Sequence, residues 1–553
     1  MPSKPVQPPE PSRRSFLATA AAGALLARPG NAAHSKRPNI LLITSDQERK
    51  DAMGVYHPAG NNKTPHVDAL ARDGVVFDRA YTTHPTCTPA RSSILTGQYA
   101  SRHGAYTIGT TLAENCVRFT DPLNSAGYKT YAVGKMHFQP VSTDGRFESR
   151  PRIFDEQFWR EFDGPYYGFQ WTRLLNRHAT ENFACRMRYG IWLKDHGLSE
   201  ADLARYFHNQ VGRWDLPREL HSSVFVADYA IEAIRKHKSG DTPFFLWASF
   251  PDPHNPHAVP APYDDMFDPE KVEYLGVRDG EFDNKPPIYR QLYENGVKGL
   301  AFNDRFGVPS CAPAPAGKAA QWRKETAIHH GMVALMDEEI GRIIKTLKDY
   351  NLYDDTLIVF TSDHGDYLGN HGFHSKGFPA FEEVYNVPFV VKSPAGQGAG
   401  GRSQAIVGTL DLAPTFLAAA GVSIPRQMQG VSQWPVFDGS KAQVRDSFLI
   451  ENRAVEKGFY QKMMVTDRYK LVAYLDQEYG ELYDLERDPN QYDNLWDSAK
   501  HRELQQTLLA RICAASGDCG KVKPEKASIG DLLALMASQI RAEGAVQPRT
   551  SYS

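Results

Sequence analysis

Short, continuous apolar runs recur along the 553-residue chain, and they restrict its fold more than any other feature. The clearest runs lie at 39–44, 129–133, 244–248, 356–361 and 387–392. Continuous runs of this length are typical of strands buried on both faces of a parallel sheet. Helical spacing of apolar residues at 326–351 predicts a long helix that packs against such a sheet. These patterns predict an α/β fold with a large, mixed but mostly parallel sheet between layers of helices.

The chain changes character near residue 440. Short strands are predicted at 448–451, 462–466 and 469–474, followed by a helix around 499–514. This order is typical of a small antiparallel α+β subdomain. We therefore predict a catalytic α/β domain over 37–440 and a C-terminal subdomain with its tail over 441–553.

Two segments of the chain, 140–225 and 265–322, show weak periodicity. The first is rich in aromatic and charged residues, and the second is rich in loops. Long irregular segments in enzymes commonly carry functional loops. We expect 140–225 to be an insertion over the active-site face, and both segments to influence substrate choice.

The first 33 residues have the three parts of a secretory signal peptide. Arg13 and Arg14 precede an apolar, alanine-rich run at 18–27, and small residues continue to Ala33. The run is too short to span a membrane, and no later stretch is apolar for long enough. The arginine pair is typical of a twin-arginine signal; a disordered tail with a chance arginine pair is the alternative. We expect export by the twin-arginine (Tat) machinery of a bacterium, to the periplasm or the medium.

Composition narrows the class of protein further. The 63 Lys and Arg residues nearly balance 65 Asp and Glu residues, which argues against a polyanion-coating protein. Six cysteines are too few for a disulfide scaffold in a chain of this length. Cys513 and Cys519 are close enough in sequence to pair after export, whereas Cys116, Cys185 and Cys311 show no metal-ligand spacing.

The remaining cysteine lies where a loop is predicted to enter a helix. Pro85 and Pro89 flank Cys87 and disfavour helix just before them, and Gly97 is suited to end the helix. Arg91 follows one turn after the cysteine. The helix N-terminus and the arginine both favour an anion near residue 87. A small buried thiol is the ordinary alternative, but the coincidence of these features indicates a functional site.

Polar side chains follow four of the predicted strands. They are Asp46 and Gln47, Lys135 and His137, His254, and Asp363 and His364, with Lys376 in a later loop. Because the carboxyl ends of parallel strands meet at one edge of a sheet, we expect these side chains to lie together. Each alone has an ordinary explanation as a helix cap or a salt bridge. Together, the oxygen and imidazole donors suit a divalent cation such as Ca²⁺, with Mn²⁺ and Mg²⁺ as alternatives. The cationic groups suit a tetrahedral anion, as sulfuryl or phosphoryl transfer requires.

The CTPAR sequence at 87–91, followed by LTG at 95–97, resembles the modification signature of the type I sulfatases. The resemblance runs from Asn39 to about Leu495. It includes GKMH at 134–137, PH at 253–254, TSDHG at 361–365, DLAPT at 411–415 and LYDL at 482–485. It implies an alkaline-phosphatase-like fold with a small C-terminal sheet subdomain. It also implies that a formylglycine-generating enzyme oxidises Cys87 to formylglycine (3-oxoalanine), whose hydrate attacks the sulfur of a sulfate ester.

The same resemblance implies a role for each residue at the strand ends. The implied metal ligands are Asp46, Gln47, Asp363 and His364, together with the modified Cys87. Arg91 and Lys135 would hold the formylglycine hydrate, Lys376 and His254 would bind sulfate and help the alcohol leave, and His137 would take the proton that expels sulfate. Gln47 and His364 depart from the Asp and Asn of many sulfatases. Both variants appear in branches that include choline-sulfate and phosphonate monoester hydrolases.

The leading hypothesis is therefore a periplasmic or secreted sulfatase that acts on a sulfated carbohydrate or on an aryl or alkyl sulfate. A phosphonate monoester or phosphodiester hydrolase with the same site residues is the alternative. A non-enzymatic binding protein is disfavoured, because Asp46, Asp363 and Cys87 are all present.

Overall fold

The computed structural model describes residues 37–58, 62–141, 144–176, 186–207, 211–240, 242–296, 312–314, 317–396, 398–454, 459–475, 477–516 and 528–544. The predicted signal peptide at 1–33 lies outside the described residues, as do Cys185, Cys311 and Cys519. Cys513 is disulfide-bonded. Within the described part of the chain, no helix is both long enough and apolar enough to cross a membrane.

An eight-stranded mixed sheet forms the centre of the first domain. Its strands are β1 (Asn39–Ser45), β2 (Val75–Tyr81), β3 (Lys129–Lys135), β4 (Trp171–Leu175), β5 (Phe244–Ser249), β6 (Thr356–Ser362), β7 (Phe389–Lys392) and β8 (Gly401–Gly408). Their order across the sheet is β8-β2-β7-β6-β1-β5-β3-β4. Of these strands, only β7 runs antiparallel to its neighbours. The predicted mixed, mostly parallel sheet is confirmed.

The interior strands β1, β5 and β6 are buried along their whole length. In β1, Leu41 and Ile43 belong to one apolar core, whereas Ile40 and Leu42 belong to another. Because successive side chains of a strand point to opposite faces, these two cores lie on opposite sides of the sheet. The uninterrupted apolar runs in the sequence thus reflect burial on both faces.

Helices cover both faces of the sheet. Those of eight residues or more in the described chain are α1 (Pro65–Arg72), α2 (Cys87–Thr96), α3 (Met187–Asp195), α4 (Ser222–Arg235), α5 (Pro287–Asn295), α6 (Ala319–Asp349), α7 (Leu412–Ala419), α8 (Arg502–Ser516) and α9 (Ile529–Gly544). Shorter helices span Ala100–His103, Thr120–Ser125, Glu156–Glu161, Glu200–Tyr206, Glu382–Tyr385 and Trp434–Phe437. Ile231 of α4 and Ile340 of α6 share the core of Leu41, and Ile94 of α2 and Phe416 of α7 share the opposite one.

A second, antiparallel sheet lies at the C-terminal end of the chain. It consists of β9 (Ser447–Ala454), β10 (Phe459–Thr466), β11 (Tyr469–Tyr474) and β12 (Gly480–Asp484), in that order. Leu509 and Ile512 of α8 share an apolar core with Met463 of β10 and Leu471 of β11. The predicted small C-terminal sheet is confirmed, helix α9 was not predicted, and the domain boundary at residue 440 stays a prediction.

The segment 140–225 was predicted to be an insertion over the active-site face, but part of it belongs to the main sheet. It supplies the edge strand β4, which pairs in parallel with β3, and α3, which packs on β4. The charged Arg173 of β4 lies over the Trp171 ring, with the guanidinium carbon 4.3 Å from the ring centroid. Strand β8, at the other edge, begins with exposed residues and was also missed. Edge strands bury less surface, so their apolar signal is weak.

Candidate active site

The register of the parallel strands brings together the polar residues that follow the strand ends. Ser45 of β1 pairs with Ser362 of β6, so Asp46 and Asp363 leave adjacent strands side by side. Strands β5 and β3 continue the same edge on the other side of β1, where β5 ends at Ser249 and β3 ends at Lys135. The predicted convergence at the carboxyl edge of the sheet therefore occurs.

The end of β3 approaches β5 so closely that only glycine fits there. Gly134 has φ of +94°, and a Cβ at this position would lie 1.9 Å from the carbonyl oxygen of Ser249. The Ser249 hydroxyl accepts from Arg91 Nη1 at 2.6 Å and donates to the Lys135 carbonyl oxygen at 2.5 Å. Ser249 thus joins the two cationic residues. Ser249 was not among the predicted site residues, although it is the last residue of a strand that leads to the site.

Cys87 is the first residue of α2, as the loop-to-helix pattern predicts. Thr86 before it is extended, with φ of −137°, and Gly97 ends the helix in the left-handed region, with φ of 63°. All ten residues of α2 are buried. Since a helix N-terminus carries partial positive charge, residue 87 occupies a position that favours an anion.

Four buried side chains converge on one point. Asp46, Cys87, Asp363 and His364 each offer one ligand atom, and these atoms all lie within 4.8 Å of one another. Cys87 Sγ is 3.2 Å from His364 Nε2 and 3.6 Å from Asp46 Oδ1. His364 Nε2 is 3.7 Å from Asp363 Oδ1. Two carboxylates and an imidazole around a common point are a donor set that fits a divalent cation.

Two buried cations face these carboxylates. Arg91 donates from Nε to Asp363 Oδ2 at 2.7 Å and from Nη2 to Asp46 Oδ2 at 3.2 Å. The Lys135 ammonium contacts Asp46 and lies 4.0 Å from Cys87 Sγ. Burial raises the pKa of Asp46, but the nearby cations, Lys135 foremost, outweigh burial and hold that pKa well below its usual value. Asp46 is therefore ionised at neutral pH.

The same charges act on residue 87 itself. Burial and Asp46 raise the pKa of the Cys87 thiol, whereas Lys135, Lys376 and His364 lower it. The lowering effects dominate, so the pKa lies below the ordinary thiol value. The surroundings thus stabilise negative charge on the side chain at position 87.

A second group of polar side chains adjoins the four ligand atoms. Lys376 Nζ donates to Gln47 Oε1 and contacts His254 Nε2. Gln47 Nε2 donates to Asn255 Oδ1 at 3.1 Å and also to Asp366. The Gln47 amide oxygen, predicted as a metal ligand, here accepts from Lys376. Burial and the neighbouring ammonium groups hold the pKa of His254 well below its usual value, so the imidazole is neutral.

His137 lies on the loop that directly follows β3, two residues beyond Lys135. It is buried and adopts a left-handed backbone conformation, with φ of 55°. Its backbone N–H donates to Glu148 Oε1 at 2.8 Å. Contacts thus link the other nine predicted residues into one network, and His137 sits beside them on the same edge. Their individual roles stay predictions.

Three further residues contact the predicted site residues and were missed in the sequence. Asn255 and Asp366 hold the Gln47 amide, and Glu148 holds the loop of His137. Asn255 and Asp366 each lie within three residues of a predicted site residue, which was their only sequence signal. Glu148 lies in the weakly periodic segment and had no signal.

A mostly parallel sheet with ligand atoms at its carboxyl edge, followed by a small antiparallel sheet, defines an alkaline-phosphatase-like α/β enzyme. The sulfatase family model matches residues 38–422, and a model described as N-sulphoglucosamine sulphohydrolase, C-terminal, matches residues 369–517. The chain therefore belongs to the sulfatase family, and it is a sulfuric ester hydrolase.

Known proteins from three bacteria are similar along most of their length. An arylsulfatase of Clostridium perfringens is 29% identical over 489 residues, which cover 86% of this chain and 94% of the relative. The multifunctional alkaline phosphatase superfamily protein PehA of Trinickia caryophylli is 29% identical over 497 residues, which cover 83% of this chain and 91% of PehA. A solved structure of a phosphonate monoester hydrolase of Agrobacterium radiobacter has a TM-score of 0.72 and 26% identity. The match covers 87% of this chain and 96% of the hydrolase. These matches confirm the predicted family and fold.

Proposed function

We propose that the enzyme hydrolyses a sulfate monoester with formylglycine, formed from Cys87, as the nucleophile beside a divalent cation, Ca²⁺ foremost. One observation carries this proposal: Cys87 converges with Asp46, Asp363 and His364 at the N-terminus of α2. Membership of the sulfatase family supports the reaction class. The arylsulfatase relative supports an aryl sulfate as a test substrate.

When present, the cation stabilises charge on the sulfuryl oxygens and the formylglycine hydrate provides the attacking oxygen. The residues that fit the cation are Asp46, Asp363 and His364, with the modified residue 87. Arg91 and Lys135 keep position 87 in a positive environment, which lowers the cost of a charged oxygen there.

Lys376 and His254 form the part of the site that serves the leaving group. The Lys376 ammonium is directed by Gln47 and lies against the neutral ring of His254. An ammonium beside a neutral imidazole can bind a sulfate oxygen and deliver a proton to the departing alcohol. His137 takes the proton that completes the second half of the reaction.

Most of the charged side chains at the site pair with one another. Arg91 and Lys135 face Asp46 and Asp363, so these four side chains cancel. The contacts of Lys376 with Gln47 and His254 are with neutral groups. The charge of Lys376 is therefore available to an anionic ester, in addition to the charge that the proposed divalent cation would supply.

A phosphonate monoester hydrolase is the second candidate, because the chain resembles the phosphonate monoester hydrolase of Agrobacterium radiobacter with a TM-score of 0.72. Matched 4-nitrophenyl sulfate and 4-nitrophenyl phenylphosphonate separate the two candidates. We expect a higher kcat/KM for the sulfate. A clear preference for the phosphonate would replace the leading proposal by the second.

Mass spectrometry of the peptide that contains residue 87 tests the nucleophile directly. We expect the aldehyde mass in active enzyme. Cys87→Ala should remove turnover while circular dichroism stays that of the wild type. Cys116→Ala is the matched control, because Cys116 is also a free cysteine, and it should keep its turnover. Wild-type activity in Cys87→Ala, or only the thiol mass in a fully active sample, would show that the nucleophile is different.

We also propose that residues 1–33 direct export by the Tat machinery after the formylglycine-generating enzyme has acted. The Arg13-Arg14 pair before the apolar run supports this route. Replacing both arginines with lysine should leave the enzyme in the cytoplasm of a Tat-competent host. Unchanged periplasmic activity after fractionation would argue against the route.

A further inference from the structure

A buried carboxylate holds the loop that carries His137. Glu148 Oε1 accepts from the His137 backbone N–H at 2.8 Å. Its Oε2 accepts from the backbone N–H groups of Phe138 at 2.8 Å and Gln139 at 3.2 Å. The Tyr166 hydroxyl also donates to Oε2. Four donors thus converge on one carboxylate that is fully buried.

This loop has a physical need for such an acceptor. Beyond the end of β3, successive buried N–H groups no longer have a strand partner, and an unpaired buried N–H is costly. His137 also adopts the left-handed region, with φ of 55°, which residues other than glycine rarely occupy. Surrounding contacts must maintain this conformation. Glu148 supplies those contacts and thereby sets the direction in which His137 leaves the strand.

We propose that Glu148 is a positioning residue that holds His137 where it can take its proton in the second half of the reaction. The inference rests on the proposed function, which assigns that step to His137. Glu148 acts through the backbone at 137–139. It lies in the segment 140–225, for which the sequence predicts an insertion over the active-site face and an influence on substrate choice.

A neighbouring pair of contacts supports the same assignment. Gln139 continues the held loop, its Oε1 accepts from the Phe147 backbone N–H at 2.9 Å, and its Nε2 donates to the Tyr167 hydroxyl at 3.2 Å. Phe147 immediately precedes Glu148. The loop and the segment around Glu148 are therefore joined by side chains from both, so the position of one depends on the other.

Glu148→Gln is the informative substitution, because it keeps the size of the side chain. The glutamine amide presents one acceptor and one donor group. If its NH₂ replaces Oε1, it faces the His137 N–H, and two donors oppose each other. If it replaces Oε2, it faces the three other donors. In either orientation the loop loses an acceptor, and a shift of about 1 Å in a catalytic group can cost about 10²-fold in rate.

The experiment compares the two halves of the reaction in the full-length enzyme. Stopped-flow release of 4-nitrophenol from 4-nitrophenyl sulfate separates the first, burst-phase turnover from the steady state. We expect Glu148→Gln to keep the burst rate and to lower steady-state kcat by about tenfold or more. His137→Ala should show the same pattern. The double variant should be no slower than His137→Ala, because both changes disable one group.

Two controls separate positioning from general destabilisation. Asp337 is another buried carboxylate that accepts two backbone N–H groups, from His66 and Val67 at 2.9 and 2.8 Å. Asp337→Asn should lower the thermal midpoint without changing the ratio of burst rate to kcat. Should Glu148→Gln be insoluble, Glu148→Asp carries the same test, since it keeps the charge but shortens the reach.

The outcomes are distinct. Equal slowing of both phases in the Glu148 variant, an unchanged kcat, or a further multiplicative loss in the double variant would each overturn the positioning role. If His137→Ala accumulates a burst and the Glu148 variant does not, only this inference fails. If neither the wild type nor His137→Ala shows a burst, the two-step proposed function fails as well.

Discussion

Two buried histidines in the region after β6 have very different surroundings. His364 Nε2 lies 3.2 Å from Cys87 Sγ, at the point where the ligand atoms converge. The His371 ring instead bridges two carboxylates, with Nδ1 on Glu281 and Nε2 on Glu383 at 3.1 Å. Burial lowers the pKa of both rings, but Asp363 and Cys87 raise the pKa of His364 above its usual value, and Glu383 and Glu281 do the same for His371. A shifted pKa alone therefore does not identify the functional histidine.

The two histidines differ in where their ring nitrogens point. The two nitrogens of His371 face different carboxylates on opposite sides of the ring, and the ring stacks on Phe381 with centroids 3.7 Å apart. His364 uses Nδ1 for the Gly365 carbonyl oxygen at 3.0 Å, which leaves Nε2 directed at the shared point. Ligand atoms that share a point can hold an ion, whereas bonds that diverge hold the fold.

Asp363→Asn tests the converging cluster and should have the largest effect. It removes one of two carboxylate charges at the shared point, so metal content and kcat/KM should fall together. We expect at least about a 10³-fold loss of kcat/KM, comparable with removing a pre-organised charge-stabilising group. Metal analysis and steady-state kinetics on 4-nitrophenyl sulfate measure both quantities. Full activity after treatment with a chelator would refute the metal assignment.

His371→Ala tests the diverging cluster, and the loss should appear in stability. The change leaves the buried Glu281 and the largely buried Glu383 without their shared partner. We expect the free energy of unfolding in urea to fall by about 3 kcal/mol, at the low end of such effects because Arg49 also attracts Glu383. Turnover per folded molecule should remain. A loss of metal content in this variant would remove the distinction between the two clusters.

A third buried histidine, His103, should affect the pH dependence of stability in the opposite direction to His371. The ring of His103 has neutral partners: Nδ1 accepts from the Ala105 N–H at 3.1 Å, and Nε2 lies 3.1 Å from Ser93 Oγ. Burial lowers the pKa of His103 to about 3. Between about pH 6.5 and 3 the unfolded chain binds the extra proton, so stability falls as pH falls, by about 1.4 kcal/mol per pH unit.

His103→Gln should remove this slope from urea unfolding measured between pH 4 and pH 6.5. The contribution of His371 has the opposite sign. Its pKa is raised in the folded state, so its stabilisation is complete in acid and is lost as pH rises through the folded pKa. An unchanged slope in His103→Gln would mean that other groups determine the acid sensitivity.

The parts of the fold that could be predicted are those whose signal is local. Strands β1, β5 and β6 are buried throughout and each contains an apolar run, and the start of α2 follows from two prolines. Edge strands β4 and β8 carry exposed or charged residues and could not be distinguished from loops. The supporting residues of the site were missed for a related reason. Glu148 is an unremarkable glutamate until folding brings the loop of His137 against it.

By itself, the sequence determined which chemical groups stand at the strand ends and at the helix start, because burial on both faces and helix initiation leave patterns in neighbouring residues. Only the tertiary structure decided which atom each group faces. The Gln47 amide donates to Asp366, which lies 319 positions away in the sequence. The Arg91 guanidinium donates to Asp363, which lies 272 positions away. Such distant pairings depend on strand order and register, which no local pattern of residues specifies.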